Sequence, residues 1–145
     1  TLDLPEEALW IDADASMIGR AVTNLLKNAG ESIDDRKAQQ PNHTGQIRVA
    51  AVQTDRSVVV EISDNGAGLP EDRARLLEPY VTNRVSGTGL GLSIVVKTIE
   101  EHGGTFALTD AEAFEEGDRP GAKAAIKLPR LADSTARKID LGIPA

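Results

Sequence analysis

Between residues 15 and 33 the apolar side chains of Ile18, Val22, Leu25, Ala29 and Ile33 recur at intervals of three and four, the period of a helix with one buried face. Asp14, immediately before them, is a residue type that caps helix N-termini. Upstream, LWID at 9–12 predicts a short strand, and downstream DDRKAQQPNHTG at 34–45 predicts a polar loop. Two β-rich runs follow, IRVAAVQT at 47–54 and SVVVEIS at 57–63, parted by Asp55 and Arg56 as in an antiparallel hairpin. DNGAGLP at 64–70 interrupts the second of them. A short helix is predicted over 71–77, closed by Pro79, and 80–88 has turn formers with no period, so it reads as a flexible loop. A second helix is predicted over 90–101, with HGG as its stop signal. TFALTD at 105–110 and KAAIKLP at 123–129 read as two more strands. In the latter Ala124, Ile126 and Leu128 alternate with Lys123, Ala125 and Lys127, so one face is buried. The pattern predicts an α+β two-layer sandwich, one mostly antiparallel sheet with helices on one face. It fills residues 1–131, and 132–145 form a mixed polar tail expected to be mobile.

Composition narrows the chemistry. A chain of 145 residues is about one domain. With one Trp, one Tyr and two Phe, aliphatic side chains must fill the core. The absence of cysteine excludes disulfides, thiolate metal sites and Cys nucleophiles. A net charge of −7 disfavours non-specific binding to nucleic acid or anionic membranes. There is neither a leader-like segment nor a long apolar run, so the chain is expected to be cytosolic, and the sequon-like NHT at 42–44 then has no role.

Three constellations carry chemistry. On the first helix Arg20, Asn24, Lys27, Asn28 and Glu31 share one stripe about 100° wide. A solvated face is the ordinary reading of Lys and Glu there. Two Asn are less ordinary, because Asn is a poor helix former and solvent gives no reason for it. An amide oxygen is a hard ligand suited to Mg²⁺, which keeps waters and binds phosphates on its other side. The second constellation is DNGAG. Asn-Gly between strands is usually a hairpin turn, but LPEDRARLLEP after it does not alternate, and the loop fails the EF-hand spacing. Asp64 at a strand end instead offers a carboxylate to a donor such as an exocyclic amine, with Gly66 and Gly68 letting a flat ligand approach the main chain. The third is GTGLGLSIV at 87–95, glycines at alternate positions before a helix. It is neither a Walker A loop nor the dinucleotide fingerprint. A glycine-rich turn that opens a helix presents unpaired N–H groups and the positive end of the dipole, which suits an anion. Thr88 adds a hydroxyl and Arg84 a charge.

In this order and spacing, the segments resemble the boxes of sensor histidine kinases. NLLKNA resembles the N box, DNGAGLP the G1 box, LLEPYVTNR the F box and GTGLGL the G2 box, and GAKAAIKLP is similar to the closing strand of that domain. NAGES, EPYVTNR and GTGLGLSIV are most similar to the nitrogen-regulation (NtrY/NtrB-like) type. The resemblance implies the Bergerat ATP-binding sandwich shared with gyrase, the Hsp90 chaperones and MutL. It implies ATP and Mg²⁺ as ligands, with Asn28 on the metal, Asn24 supporting the metal or the phosphates, and Lys27 among the ATP-binding residues. Asp64 takes the adenine amino group, and Gly66 and Gly68 line the base. Gly87, Thr88, Gly89, Leu90 and Gly91 wrap the phosphates. The segment 70–88 is the ATP lid, carrying Tyr80, Thr82 and Arg84 to the nucleotide. Three residues depart from the pattern: Leu77 stands where Phe is common, Arg84 where Lys is common, and Glu31 where many such kinases have Lys or Arg.

The implied function is to bind Mg-ATP and donate its γ-phosphate to a histidine on a separate, dimeric helical domain, for relay to a response regulator. The resemblance makes a membrane-anchored parent plausible, with this domain on the cytoplasmic side and monomeric by itself. The acceptor is not in this chain, since neither His43 nor His102 has the acceptor's surroundings and both read as surface residues. An ATPase of the gyrase or chaperone class would carry Glu at the position of Asn24 to activate water, and an amide there cannot act as a base. A serine kinase of the anti-sigma class, or a nucleotide sensor without transfer, shares the fold and the boxes.

Overall fold

The computed structural model describes residues 1–71 and 91–131, within which two helices and five strands form two layers. The predicted helix over 71–77 and loop over 80–88, with Tyr80, Thr82, Arg84, Gly87, Thr88, Gly89 and Leu90, lie outside the described residues beyond Glu71, as does the tail.

Helix α1 runs Ala15–Gln39, about 37 Å at 1.5 Å per residue. Asp14 caps it, its Oδ1 accepting from the Met17 N–H at 3.0 Å, the bond expected of an N-cap side chain. The helix is six residues longer than its apolar period predicts, so all of DDRKAQ, the first half of the predicted loop, is helical. The reason is Arg36, which continues the buried face one turn beyond Ile33 and is itself only 5% exposed. The helix stops at Gln40, whose N–H bonds the Arg36 carbonyl, one residue before Pro41.

Strands β1 (Leu2–Asp3), β2 (Ile47–Gln53), β3 (Ser57–Asp64), β4 (Thr105–Asp110) and β5 (Ala122–Pro129) form one sheet in the order β1-β2-β3-β5-β4. β1 is parallel to β2, and all other pairs are antiparallel. The β2–β3 hairpin turns through Asp55 and Arg56 as predicted, the Thr54 N–H meeting the Ser57 carbonyl at 2.8 Å. The strand expected at 9–12 reduces to one bridge, Ile11 with Arg130. Asp14 is already committed to capping α1, which leaves too few residues for a ladder.

Helix α2, Gly91–Glu101, ends as HGG predicts. Gly103 adopts φ +74°, and the Gly104 and Gly103 N–H groups close on the carbonyls of Ile99 and Glu100, the Schellman arrangement. Both helices cover one face of the sheet. Ala21, Leu25 and Ala29 of α1 meet Val95 and Ile99 of α2 over Ile62, Ala124, Ile126 and Leu128. Val95 and Ile99 are fully buried, each contributing about 1.5–3 kcal/mol relative to exposure. With α2 fixed there, the last glycine of the GTGLG run, Gly91, becomes the first residue of a helix set beside α1.

Candidate functional site

Polar residues line α1 at every fourth position: Asn24, Asn28, Ser32 and Arg36. Residues four apart lie one above another on a helix, advancing about 6 Å along its axis. Asn24 and Asn28 are half-buried, whereas Ser32 and Arg36 are buried. Of the remaining predicted stripe, Arg20 and Lys27 are exposed and Glu31 is half-buried. Lys27 Nζ lies 3.9 Å from Glu31 Oε1, a loose i,i+4 pair worth little in stability. Glu31 thus sits beside a cation of the preceding turn.

The Ser32 and Arg36 end of this line meets the turn after β3. Asp64, only 5% exposed, holds its Oδ1 under the Gly66 N–H at 2.9 Å. Longer contacts come from the Ser32 hydroxyl at 3.4 Å and the Ala122 N–H at 3.5 Å. The Ala67 N–H donates to both the hydroxyl and the carbonyl of Ser32, each at 3.0 Å, stitching the turn to α1. At Gly66 the space a Cβ would take is filled by Ser32 of α1, so the turn and the helix are in close contact there. Gly68 has φ +80°, and its missing Cβ would stand 3.0 Å from the Pro120 carbonyl oxygen.

Asn65, between these residues, is a staple. Its side-chain carbonyl accepts from the Gln46 N–H at 2.7 Å, and its amide donates to the Thr44 carbonyl at 2.9 Å. Its own carbonyl accepts from Arg36 and from His43 Nε2, both at 2.8 Å. Arg36 also forks onto Asp118, with Nη2 to Oδ1 at 2.7 Å and Nη1 to Oδ2 at 3.3 Å. That hydrogen-bonded guanidinium holds the Asp118 carboxyl below its ordinary value of 3.8, outweighing partial burial, which acts in the opposite sense. A carboxyl lowered on folding stabilises the fold fully above its ordinary value and loses that contribution as pH falls through the lowered one. Asp118→Asn should therefore be less stable than wild type by a constant amount from neutral pH down to about 3.8, with the difference closing below it. Urea unfolding of both proteins across that range measures it.

Asn24, Lys27, Asn28, Asp64, Gly66 and Gly68 are thus gathered along α1 and the turn it touches, and Gly91 opens the neighbouring helix. Sequence reasoning passed over Ser32, Arg36, Asn65, Asp118 and Gly121. The signal for the first two was present, since they extend the Asn24–Asn28 interval by two further steps of four. The histidines are not the surface residues expected. Both are half-buried, and His102 accepts from the Asp14 N–H through Nε2 at 3.1 Å. That bond leaves the ring hydrogen on Nδ1, which donates to the Thr98 carbonyl at 2.7 Å. Among the described residues no group of three His, Asp or Glu side chains is arranged to cage a metal ion, and no helix is long and apolar enough to cross a membrane.

An open mixed sheet with both helices on one face and a buried strand-end carboxylate beside an Asn-bearing helix defines a nucleotide-binding ATPase fold. Residues 13–132 match the family of histidine kinase-, DNA gyrase B-, and HSP90-like ATPases, and the chain belongs to it. Its relatives include proteins named as sensor histidine kinases and sporulation kinases. It is 54% identical over 101 residues to the nitrogen regulation protein NtrY of Azorhizobium caulinodans, covering 68% of this chain and 13% of that protein. It is 34% identical over 125 residues to sporulation kinase B of Bacillus subtilis, covering 86% of this chain and 26% of that one. Among solved structures, the mycobacterial sensor histidine kinase MprB superposes with a TM-score of 0.72 at 27% identity, over 89% of this chain and 82% of that one. The nucleotide-free catalytic domain of histidine kinase ThkA gives 0.68 at 27% identity, over 89% and 78%. The chain spans only about an eighth to a quarter of the length of these two curated relatives.

Proposed function

We propose that this chain is the catalytic and ATP-binding domain of a two-component sensor kinase of the nitrogen-regulation type. It binds Mg-ATP along α1 and presents the γ-phosphate to a histidine on a separate helical domain, for relay to a response regulator. The observation that carries the reading is Asp64, a carboxylate buried at a strand end and oriented by the Gly66 N–H. Such a group is an acceptor aimed at a donor, and the exocyclic amine of adenine is one. The named relatives support the rest, being sensor and sporulation kinases.

The residues suit their proposed partners. Asn28 and Asn24 carry hard amide oxygens, half-buried, about 6 and 12 Å along the axis from Ser32, which touches Asp64. Asn28 would hold Mg²⁺ as one protein ligand among phosphate oxygens and waters, the usual habit of that ion, and a protein cage is unnecessary. The metal would supply charge neutralisation on the phosphates. Asn24 and Lys27 would hold the phosphate chain, as would the turn ending at Gly91 together with Thr88, Gly87, Gly89 and Leu90. Tyr80, Thr82 and Arg84 would close over it. Phosphoryl transfer asks a protein chiefly for positioning and charge balance. Asn24, which has no basic group, favours transfer to a partner over activation of water.

The test is a calorimetric titration of a non-hydrolysable ATP analogue with and without Mg²⁺, on wild type and Asn28→Asp. The added carboxylate should weaken Mg²⁺-free binding by about 10-fold through repulsion of the phosphates and make binding depend more steeply on Mg²⁺. An unchanged Mg²⁺ dependence would remove Asn28 from the metal.

A further inference from the structure

We propose that Arg36 is a positioning residue for the nucleotide base, a clamp whose engagement of both the Asp64 turn and the loop behind it sets selectivity for adenine. The proposal rests on the reading of Asp64 as base acceptor. A guanidinium only 5% exposed needs complete pairing, because an unmatched buried charge is strongly unfavourable. Arg36 has that pairing, and the acceptors are informative. One is the carbonyl of Asn65, the residue after Asp64, at 2.8 Å. Another is Asp118, gripped by the fork at 2.7 and 3.3 Å. Nε is held by Gln40 Oε1, at the C-cap of α1, at 3.1 Å.

Asp118 lies three residues before Gly121 in the loop over 111–121 between β4 and β5. Gly121 packs so closely on the Asp64 carbonyl that a Cβ there would overlap it. Pro120, next to it, faces Gly68 through its carbonyl. One planar cation therefore fixes the turn that bears the base acceptor and the loop that backs it. A fork can hold two acceptors at set angles, which a lysine ammonium cannot. Replacing a buried pair with apolar packing is often neutral or stabilising, so stability alone does not account for a pair placed here. The clamp also acts at one end only. Asn28 and Asn24 lie about 12 and 18 Å from Arg36 along the helix axis, beyond its contacts.

Loosening the clamp should alter recognition of the base and leave the phosphates alone. Asp118→Asn and Arg36→Lys are compared with wild type in calorimetric titrations with non-hydrolysable ATP, the matching inosine triphosphate analogue, which lacks the exocyclic amine, and inorganic tripolyphosphate, all with Mg²⁺. Thermal unfolding confirms that each variant folds, and Asp118→Asn preserves shape at a side chain that is 24% exposed. The expected result is about a 10-fold loss for the ATP analogue in each variant, with the other two ligands within about twofold of wild type. The preference for adenine over hypoxanthine then narrows by the same factor. An ATP affinity unchanged in folded Asp118→Asn overturns the clamp, and so does a parallel loss for all three ligands. Wild type that binds the ATP and inosine analogues equally overturns the reading of Asp64 itself, a different failure.

Discussion

Asp64→Asn is expected to weaken binding of a non-hydrolysable ATP analogue by about 100-fold, roughly 2.7 kcal/mol, with the fold intact. The substitution is isosteric, and an amide oxygen can take over the bond from the Gly66 N–H at 2.9 Å. What changes is the other half of the group. A carboxylate offers a second acceptor, whereas an amide turns an NH₂ toward the ligand and sets donor against donor at the adenine amine. A site built to hydrogen-bond a substrate group rejects a mismatch severely because its own buried polar group is left unpaired. Titration calorimetry reads the loss, and circular dichroism confirms the fold. An affinity within about threefold of wild type would place the base acceptor elsewhere.

Gly121→Ala should produce the largest loss of stability, about 3 kcal/mol. The added Cβ would overlap the main-chain carbonyl of Asp64 and stand 3.0 Å from the Asn65 Cα. Both are backbone, so no side chain can rotate away, and either β5 or the β3 turn must shift. Gly30→Ala is the matched control. Among the described residues, a methyl group added at Gly30 would meet no atom within 4 Å outside the neighbouring backbone of α1, and Ala is the better helix former by about 1 kcal/mol. Urea midpoints should therefore move in opposite directions for the two variants. A Gly121→Ala midpoint equal to wild type would mean that the sheet and the base turn are not in close contact.

Most of the fold can be read from periodicity, because most of it is built from apolar contact. The β2–β3 hairpin, α2 with its Gly103 stop, and the alternating face of β5 follow from residue types at fixed spacing. Asp64 was legible for a related reason, as a carboxylate at a strand end followed by glycines. The far end of α1 was not. The four-residue interval from Asn24 does reach Arg36, but its partner Asp118 is 82 positions away, and no local pattern holds that pairing. Ser32 escaped likewise, since its value lies in the Ala67 N–H from the next layer. Gly66 was noticed, but a glycine signals close approach without naming the neighbour, and Ser32 of α1 could not be read from the turn alone. The strand at 9–12 failed because the residues before a capped helix have a competing task.

The central claim is transfer of the γ-phosphate to a histidine outside this chain. The measurement that tests it most directly is incubation of the domain with γ-labelled ATP and Mg²⁺, alone and with the helical domain of its own parent protein. The account predicts label on the helical domain only, stable in base and lost in acid as a phosphohistidine is, and abolished by Asp64→Asn. Label stable in acid on a serine, or release of inorganic phosphate unaffected by the helical domain, would contradict it.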